Sequence, residues 1–266
     1  MPLAVCATPI GNLDDVTLRV LEELRAADLV LAEDTRHTRG LLARHGIEAR
    51  LLSYHEHNEA ARTAELVPRL VAGERIALVS DAGLPGISDP GIRLLRAARE
   101  SGVEVTVLPG PSAVETALVA SGLAGGRYAF VGFLPRRAAE RDALWEEIEN
   151  WDWPTVAFES PKRLPATLRS LAAASPDRTV AVCRELTKRF EDVVVDGASE
   201  VAGRFLEPPR GEITLVIGPA SRVQDRGAAL AAVAELVAAG TPRRVAADVV
   251  SRLADVSRND LYRSTL

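Results

Sequence analysis

The chain has 266 residues, of which 47% are hydrophobic and 26% charged, and its formal net charge is −5. This length suggests one or two domains with ample core material, and the acidic balance argues against a protein that binds nucleic acid over its whole surface, although a local basic patch is still compatible with RNA binding. No apolar run approaches the ~20 residues needed to span a bilayer, and the first residues lack the basic region and long apolar stretch of a secretion signal.

Two residue types are unusually scarce. Cys6 and Cys183 are the only cysteines, and both lie in apolar, strand-like runs, which is typical of buried thiols in a cytoplasmic protein rather than of a disulfide or metal pair. Lys162 and Lys188 are the only lysines among 32 basic residues. Lysine can lose its proton in a suitable environment, whereas arginine stays charged. The two lysines are therefore either chance survivors or functional ammonium groups.

Apolar, strand-like runs alternate with helical patterns through the first half of the chain. We predict strands at residues 3–7, 28–34, 49–55, 75–81 and 103–110, and helices at residues 17–27, 37–46, 58–73, 91–102 and 111–122. Such alternation implies a mainly parallel sheet that helices cover on both faces. Ligands on such sheets bind beyond the carboxyl ends of the strands.

The second half begins after GLAGGR, residues 122–127, and has a different pattern. We predict strands at residues 128–136, 154–160, 178–186, 190–197 and 211–218, and helices at residues 137–150 and 164–174. The last three strands follow one another without room for helices, so this half should be mixed or partly antiparallel. The tail, from residue 228, has a helical pattern throughout. We therefore predict three parts: an α/β domain (1–123), a mixed α/β domain (124–220) and a helical tail (225–266).

Four loops rich in glycine and proline follow predicted strands. They are ATPIGNLDD (7–15), SDAGLPGISDPG (80–91), LPGPSA (108–113) and GFLPRR (132–137). Glycine lets the backbone approach a ligand closely, and proline stiffens a loop in advance. Four such loops at the same sheet edge predict a large, preorganised cleft for a small molecule.

The motifs exclude several common ligands. The chain has no GxxxxGK[ST] motif, and its first loop has one glycine rather than GxGxxG, which argues against a P-loop NTPase and a standard dinucleotide fold. His55 and His57 are two residues apart at a strand end and would point in opposite directions, so we expect no metal site there.

In order along the chain, these loops resemble one family, the tetrapyrrole methylases. The resemblance rests on TPIGNLDD, AEDTRHTRGLL, SYHEHNE, SDAGLPGISDPG, PGPSA, GFLPR, ESPKRL, RELTKRFE and GEITLVIG, from about residue 3 to 219, and on the closing NDLYRSTL. It implies a two-domain fold with S-adenosylmethionine in the cleft between the domains. Within the family, the motifs resemble the branch that methylates the ribose 2′-oxygen of a cytidine in the decoding region of small-subunit (16S) ribosomal RNA. Members of the superfamily are commonly homodimers, so a homodimer is expected.

The resemblance assigns the glycine-rich loops to the methyl donor. Asp81 would orient a ribose hydroxyl, orient the methionine ammonium, or cap its own loop. Ser112 and Ala113 would offer helix N–H groups to the donor carboxylate, and Phe133 and Leu134 would pack on adenine. The full set of expected donor contacts is Pro9, Gly11, Asp81, Gly83, Pro85, Gly86, Ser112, Ala113, Phe133 and Leu134.

Methyl transfer to a hydroxyl needs alignment, and a general base or a nearby cation helps because a ribose hydroxyl is a weak nucleophile. The expected catalytic residues are Lys188 and Glu185 in RELTKRFE and Glu159 in ESPKRL. Desolvation, or Arg184 and Arg189 beside it, would lower the pKa of Lys188 and suit it to act as the base. Contact with RNA phosphates is the alternative role for these basic residues.

An RNA-binding protein needs a positively charged surface along the RNA, even when its net charge is negative. The expected phosphate contacts are Arg136, Arg137, Lys162, Arg163, Arg184, Arg189, Arg243 and Arg244. Solvated helix faces are the alternative explanation for such charges. Two other functions stay open: methylation of a tetrapyrrole carbon by the same fold, and a non-catalytic ribosome-assembly factor that binds S-adenosylmethionine as a sensor.

Overall fold

The computed structural model describes residues 2–87, 89–220, 226–254 and 257–264. The chain divides into two compact units, Met1–Pro219 and Ala220–Leu266. The first unit contains two five-stranded sheets, and the second contains helices only.

The first sheet is parallel throughout. Its strand order is β3-β2-β4-β1-β5, and Leu3 of β1 pairs with Ile76 of β4 on one side and with Val105 of β5 on the other. This confirms the parallel sheet expected from the alternating pattern. The strands are β1 (Leu3–Cys6), β2 (Leu29–Ala32), β3 (Leu51–Ser53), β4 (Ile76–Val79) and β5 (Val105–Leu108). The helices between and after them are α1 (Leu18–Ala26), α2 (Thr35–Arg44), α3 (Glu59–Val71), α4 (Ile92–Glu100) and α5 (Ala113–Ala120).

Helices cover both faces of this sheet. The central strands β1, β2 and β4 are buried at every residue, which is why they appear in the sequence as continuous apolar runs. Val20 and Leu24 of α1 pack in one apolar cluster, and Leu66 of α3 and Leu94 of α4 pack in another. Helix α5 packs instead against strands of the second sheet.

The second sheet is mixed, with strand order β6-β7-β10-β8-β9. Strands β6 and β7 are parallel, and β10 is antiparallel to both β7 and β8, as β9 is to β8. The mixed sheet is as predicted. The strands are β6 (Ala129–Phe133), β7 (Thr155–Glu159), β8 (Thr179–Arg184), β9 (Asp192–Gly197) and β10 (Ile213–Ile217), and the helices are α6 (Ala138–Ile148), α7 (Leu164–Ala174) and α8 (Ala198–Arg204).

Helix α8 corrects one prediction, because we expected no helix between the last strands. It is only seven residues long and buries Ala198, Val201 and Ala202, and it packs on α7. Two small alanines and flanking glycines gave no visible apolar periodicity. Its packing against α7, rather than helix propensity, stabilises so short a helix.

The tail has its own apolar core. Helices α9 (Arg226–Ala238), α10 (Arg243–Ala254) and α11 (Arg258–Ser264) bury Val233, Ala246, Ala247, Val250 and Leu261 against one another. The predicted boundary between the second domain and the tail, residues 220–225, lies almost entirely outside the described residues. Within the described ranges, no helix is both long and apolar enough to cross a membrane.

Candidate active site

Three of the glycine-rich loops meet at the carboxyl edge of the parallel sheet. The backbones of Thr8 and Gly83 exchange two hydrogen bonds of 2.8 and 3.0 Å, and the Thr8 hydroxyl donates to the Ser80 carbonyl at 3.0 Å. A Cβ at Gly110 would lie 2.8 Å from Cβ of Ala7, so only glycine allows the β5 loop to pack this closely on the β1 loop. The three loops therefore form one bonded surface.

The loop after β4 is shaped by backbone conformations that favour glycine. Gly83 and Gly86 have φ angles of +74° and +89°, and Pro85 between them is buried. The Asp81 carboxylate accepts the backbone N–H of Asp34 at 3.0 Å. One carboxylate oxygen of Asp81 thus ties this loop to the start of α2, and the side chain is half-buried.

Ser112 lies at the N-cap of α5, as the sequence indicated, but its hydroxyl is engaged. It donates to Glu115, whose other carboxylate oxygen accepts the Tyr128 hydroxyl at 2.5 Å. An anion is therefore already present at this helix N-terminus. A donor carboxylate placed on the N–H groups of Ser112 and Ala113 would have to compete with it.

In the second sheet too, the candidate functional residues lie at one edge. The ladder places Ile213 opposite Glu159 on one side and opposite Arg184 on the other, and Arg184 opposite Asp192. Strands β6, β7 and β8 end at this edge, whereas β9 and β10 begin there. The GFLPRR, ESPKRL and RELTKRFE segments, which are far apart in sequence, are thereby brought together.

Phe133 and Leu134 differ sharply in exposure. Phe133 is 62% exposed and its ring lies edge-on to Phe158, with centroids 5.5 Å apart. Leu134 is 2% exposed and packs with Trp145 and Ile148 in the core of the second half. The Phe133 ring is thus available to a ligand, while the Leu134 side chain is committed to the core.

Glu159 is a buried carboxylate with several partners. It is 2% exposed, accepts the Ser160 N–H at 2.5 Å and the Thr167 hydroxyl at 2.6 Å, and pairs with Arg163 at 2.5 Å. Arg163 also donates to the Leu134 carbonyl at 3.0 Å. This geometry suits a residue that fixes the β7–α7 turn and leaves little room for proton transfer with substrate.

The segment after β8 has an unusual backbone. Glu185 and Thr187 have φ angles of +52° and +63°, a region that L-residues adopt at a cost of about 1–3 kcal/mol each. Gly211 makes room for this turn, because a Cβ there would lie 2.3 Å from Cγ of Glu185. Non-glycine residues in this conformation are concentrated at functional sites, where surrounding contacts hold them in place.

Lys188 lies between two carboxylates. Its Nζ is 3.0 Å from Oε1 of Glu185 and 2.9 Å from Oε2 of Glu212. Burial acts to lower the pKa of Lys188, but the hydrogen bonds and charges of Glu212 and Glu185 outweigh it and raise that pKa. The expectation that the pKa of Lys188 would be lowered is therefore wrong, since the neighbouring carboxylates dominate over Arg184 and Arg189. As placed, Lys188 is a cation and not a base.

Glu185 is embedded in the same arrangement. Its Oε1 accepts the Glu212 backbone N–H at 2.9 Å, and its own N–H donates to the Glu212 carbonyl at 3.0 Å. The Glu212 backbone bond, helped by Lys188, lowers the pKa of Glu185. Sequence reasoning did not find Glu212 or Gly211, because nothing in GEITLVIG shows that its start lies beside RELTKRFE.

The two sheet edges meet at the β1 loop. A Cβ at Gly11 would lie 2.6 Å from Cγ of Lys188 and 2.7 Å from the Leu186 carbonyl, and the Asn12 N–H donates to the Thr187 hydroxyl at 3.0 Å. The structure thus joins Pro9 and Gly11 of the donor candidates to Lys188 and Glu185 of the catalytic candidates in one site.

The predicted RNA contacts occupy different environments. Arg136, Arg137, Lys162 and Arg189 are exposed. Arg184 is 25% exposed in its side chain, lies 3.5 Å from Asp192 and donates to the Arg210 carbonyl at 3.4 Å. Arg243 and Arg244 belong to the helical tail unit, at the start of α10.

A group of carboxylates at the sheet edge was not predicted as functional. Asp89, in the loop after β4, has a pKa raised to about 7 by burial and then by the charges of Glu33 and Asp81. Asp89 and Glu33 line a groove of about 810 Å³ together with Glu59 and Arg93. Among the described residues, no group of three or more His, Cys, Asp or Glu side chains is arranged to hold a metal ion.

Comparison with known proteins shows the same family that the motifs resemble. The sequence profile described as tetrapyrrole (corrin/porphyrin) methylases matches residues 2–202. A Mesorhizobium japonicum protein described as ribosomal RNA small subunit methyltransferase I is 40% identical over 99% of this chain and 91% of its own length. A Thermotoga maritima protein with the same description is 44% identical over 81% of this chain and 97% of its own length.

The fold has counterparts among solved structures. The uroporphyrin-III-C-methyltransferase of Thermus thermophilus superimposes with a TM-score of 0.57 at 22% identity, covering 82% of this chain and 94% of that protein. Identity this low supports the shared fold and leaves the substrate open.

Proposed function

We propose that this chain, which belongs to the tetrapyrrole methylase family, methylates the ribose 2′-oxygen of a cytidine in the decoding region of small-subunit (16S) ribosomal RNA. The chain is a methyltransferase, and S-adenosylmethionine is its methyl donor. The assignment of RNA as the substrate rests on one observation. The chain is about 40% identical, over nearly its whole length, to relatives described as ribosomal RNA small subunit methyltransferase I. The enzyme would act in the cytoplasm, as a homodimer.

The residues at the edge of the parallel sheet fit the donor. Gly83 and Gly86 at positive φ shape the loop after β4, and the close approach of Gly110 to Ala7 packs the β5 loop on the β1 loop, so that the loops form a preorganised cradle for a small molecule. Phe133 offers an exposed ring for the adenine. The proposed donor contacts are Pro9, Gly11, Asp81, Gly83, Pro85, Gly86, Ser112, Ala113 and Phe133. Leu134 is left out, because its side chain lies in the core and its N–H and carbonyl are both hydrogen-bonded within the protein.

When bound, S-adenosylmethionine supplies an electrophilic methyl group on a sulfonium. The protein's own contribution is alignment and electrostatics. The β1 loop and the segment 184–191 are bonded together through Asn12 and Thr187, so the donor wall and Lys188 keep a fixed spacing. As the methyl group leaves the sulfonium for the ribose oxygen, the hydroxyl proton would pass to solvent water. The Lys188 ammonium would stabilise negative charge that develops on that oxygen, and Glu185 would hold the ammonium in position.

RNA would approach along the edge of the second sheet. Arg136, Arg137, Lys162 and Arg189 are exposed there and would contact phosphates, with Arg184 and Arg163 partly buried behind them. Arg243 and Arg244 would add contacts from the tail. Contacts of this kind make affinity fall steeply with salt.

The test is methyl transfer from labelled donor to small ribosomal subunits that lack the modification, followed by nuclease mapping and nucleoside analysis. Label on the ribose of one cytidine is the expected result. Gly83→Val is the matched control, because a β-branched residue at φ +74° is strained and should abolish donor binding without changing any RNA contact.

Other results would redirect the assignment. Label on a base would retain RNA methylation but move the acceptor atom. Donor binding without transfer to subunits or to naked RNA would overturn the proposal. It would leave tetrapyrrole methylation, checked by retention of a coloured porphyrinoid, or a sensor role in ribosome assembly.

A further inference from the structure

The two carboxylates on Lys188 are held very differently. The Glu185 side chain is 20% exposed, accepts both the Glu212 backbone N–H and Lys188 Nζ on Oε1, and sits against Gly211, where no Cβ is tolerated. The Glu212 side chain is 74% exposed, and its carboxylate reaches Lys188 from the solvent side. Glu185 is therefore fixed by the fold, whereas Glu212 is free to move away.

Three arginines lie in the segments around this ion pair, although one of them, Arg184, pairs with Asp192. Arg184 donates to the Arg210 carbonyl one residue before Gly211, and both Arg210 and Arg189 are exposed. A polyanion is drawn to such a surface. An ion pair whose carboxylate is largely exposed is weak, so an incoming phosphate loses little by replacing that carboxylate. It also regains a charge-assisted hydrogen bond of the same kind from the ammonium.

We infer that Glu212 is a substrate-displaced counter-ion: its carboxylate occupies the position on Lys188 Nζ that an RNA phosphate or the reacting ribose takes in the complex, while Glu185 stays and keeps the ammonium in direction. This inference rests on the proposed function and deepens it, because it names a residue that competes with the RNA. Glu212 sets how tightly RNA binds, and Glu185 is a positioning residue that sets how well bound RNA reacts.

The two roles predict opposite changes in steady-state constants. Glu212→Gln removes the competing charge, so the apparent Kd and the KM for RNA fall about two- to fivefold, in line with the strength of an exposed ion pair, while kcat is unchanged because the wild-type carboxylate has already left the complex. Glu185→Gln lowers kcat with little change in KM. If either residue had only a structural role, its substitution would lower the free energy of unfolding. It would not change KM alone at Glu212 and kcat alone at Glu185.

The matched control is Glu207→Gln, which makes the same change in net charge at an exposed carboxylate of the same loop. The full-length protein, small-subunit RNA and labelled donor are used throughout, and filter binding gives the Kd. The Glu212→Gln substitution is repeated in the Lys188→Met background. The tightening should vanish there, since no ammonium remains for which carboxylate and phosphate compete.

Two results would overturn the inference: tightening by Glu212→Gln that is no greater than that by Glu207→Gln, or tightening that persists with Lys188→Met. The wild-type methylation rate in the same assay reports on the proposed function by itself. If the wild-type enzyme is active and either of these results is found, only the role of Glu212 is wrong. If the wild-type protein neither binds nor methylates the RNA, the proposed function and the role of Glu212 are both wrong.

Discussion

The backbone N–H of Asn12 donates to the side-chain oxygen of Thr187 at 3.0 Å, although 175 residues separate them. This bond joins the loop after the first strand to the segment after β8, and so joins the edge of the parallel sheet to the edge of the mixed sheet. Thr187 holds a φ of +63° to make the contact. The candidate donor wall and the candidate catalytic ammonium are positioned by this junction.

Gly11→Ala should damage this junction. The new Cβ would lie 2.7 Å from both the Leu186 carbonyl oxygen and the Thr187 hydroxyl oxygen. The Leu186 carbonyl belongs to the backbone, so relieving this contact requires the backbone to shift. We expect a loss of about 1–3 kcal/mol in the free energy of unfolding, as for other overpacked sites. Donor affinity should fall with it. Calorimetric donor binding and thermal unfolding measure both effects.

Gly40→Ala is the control for that substitution. Gly40 lies inside α2, and a Cβ there would meet nothing within 4 Å. Alanine should stabilise the helix by about 1 kcal/mol and leave donor binding unchanged. Equal effects from Gly11→Ala and Gly40→Ala would contradict the close contact at Gly11.

Lys188→Arg and Lys188→Met separate a cationic role from a basic one. Because Glu212 and Glu185 raise the pKa of Lys188 in the free protein, its ammonium stays charged from pH 6 to 9, and kcat/KM, which reports on the free enzyme, should show no ionisation of this group in that range. Lys188→Met should lower kcat/KM about 100-fold, as loss of one electrostatic contact in an active site does. Lys188→Arg keeps the charge and should retain much more activity. An arginine variant as inactive as the methionine variant would restore Lys188 as the base.

Asp89 predicts a pH dependence of stability. Its folded pKa of about 7 lies above the ordinary value of 3.8, so the folded state binds the extra proton between those values. Stability should therefore decrease as pH rises from about 4 to 7. Asp89→Asn removes this loss and should stabilise the protein at pH 8 by about 1 kcal/mol, a figure reduced for the partial exposure of the group. Denaturant unfolding at pH 5 and pH 8 measures the difference.

The control is Asp15→Asn, at an exposed carboxylate in the short turn after β1. It should change stability little at either pH. If Asp89→Asn and wild type lose stability in parallel between pH 5 and 8, the pKa of Asp89 is not raised as described.

Glu159→Gln distinguishes a structural carboxylate from a catalytic one. The substitution removes the charge that Arg163 pairs with and weakens the bonds from Ser160 and Thr167. Because breaking a buried pair leaves an uncompensated charge, the free energy of unfolding should fall by about 3 kcal/mol. Well below the unfolding temperature, kcat should stay within about threefold of wild type, whereas loss of a general acid or base costs about 100-fold or more. If kcat fell by that much in a fully folded variant, Glu159 would be a catalytic residue.

A chain ending at Pro219 tests the role of the tail. Residues up to Pro219 form a compact unit, and the helices of the tail bury their apolar residues mainly against one another. We expect the shortened protein to fold and to bind donor normally, but to bind RNA more weakly and with a shallower salt dependence, because Arg243 and Arg244 are gone. Full-length Arg243→Gln/Arg244→Gln protein is the matched comparison. Equal RNA affinity in all three proteins would remove the tail from the proposed interface.

The sequence determined the elements of this fold because their signals are local. A buried parallel strand such as Ile76–Val79 is a continuous apolar run, and the glycines and prolines of residues 80–91 exclude strand and helix alike. The glycines at positions 11 and 86 marked loops in which the backbone approaches another group closely, and Gly83 marked a turn that needs a positive φ. Ordered motifs then indicated the family. Helix α8 escaped detection because its seven residues bury only two alanines and one valine, too few for a periodic signal.

The tertiary structure alone decided what surrounds each candidate side chain. Antiparallel pairing of β10 with β8 brings Glu212 to Lys188, and no local pattern specifies which strand begins beside which strand's end. That contact reverses the expected direction of the Lys188 pKa, because ionisation depends on charges a few ångströms away in space rather than along the chain. Packing likewise buries the side chains of Glu159 and Leu134, which the sequence alone did not indicate. Residue types and loop positions follow from sequence, whereas charge state and accessibility follow from long-range packing.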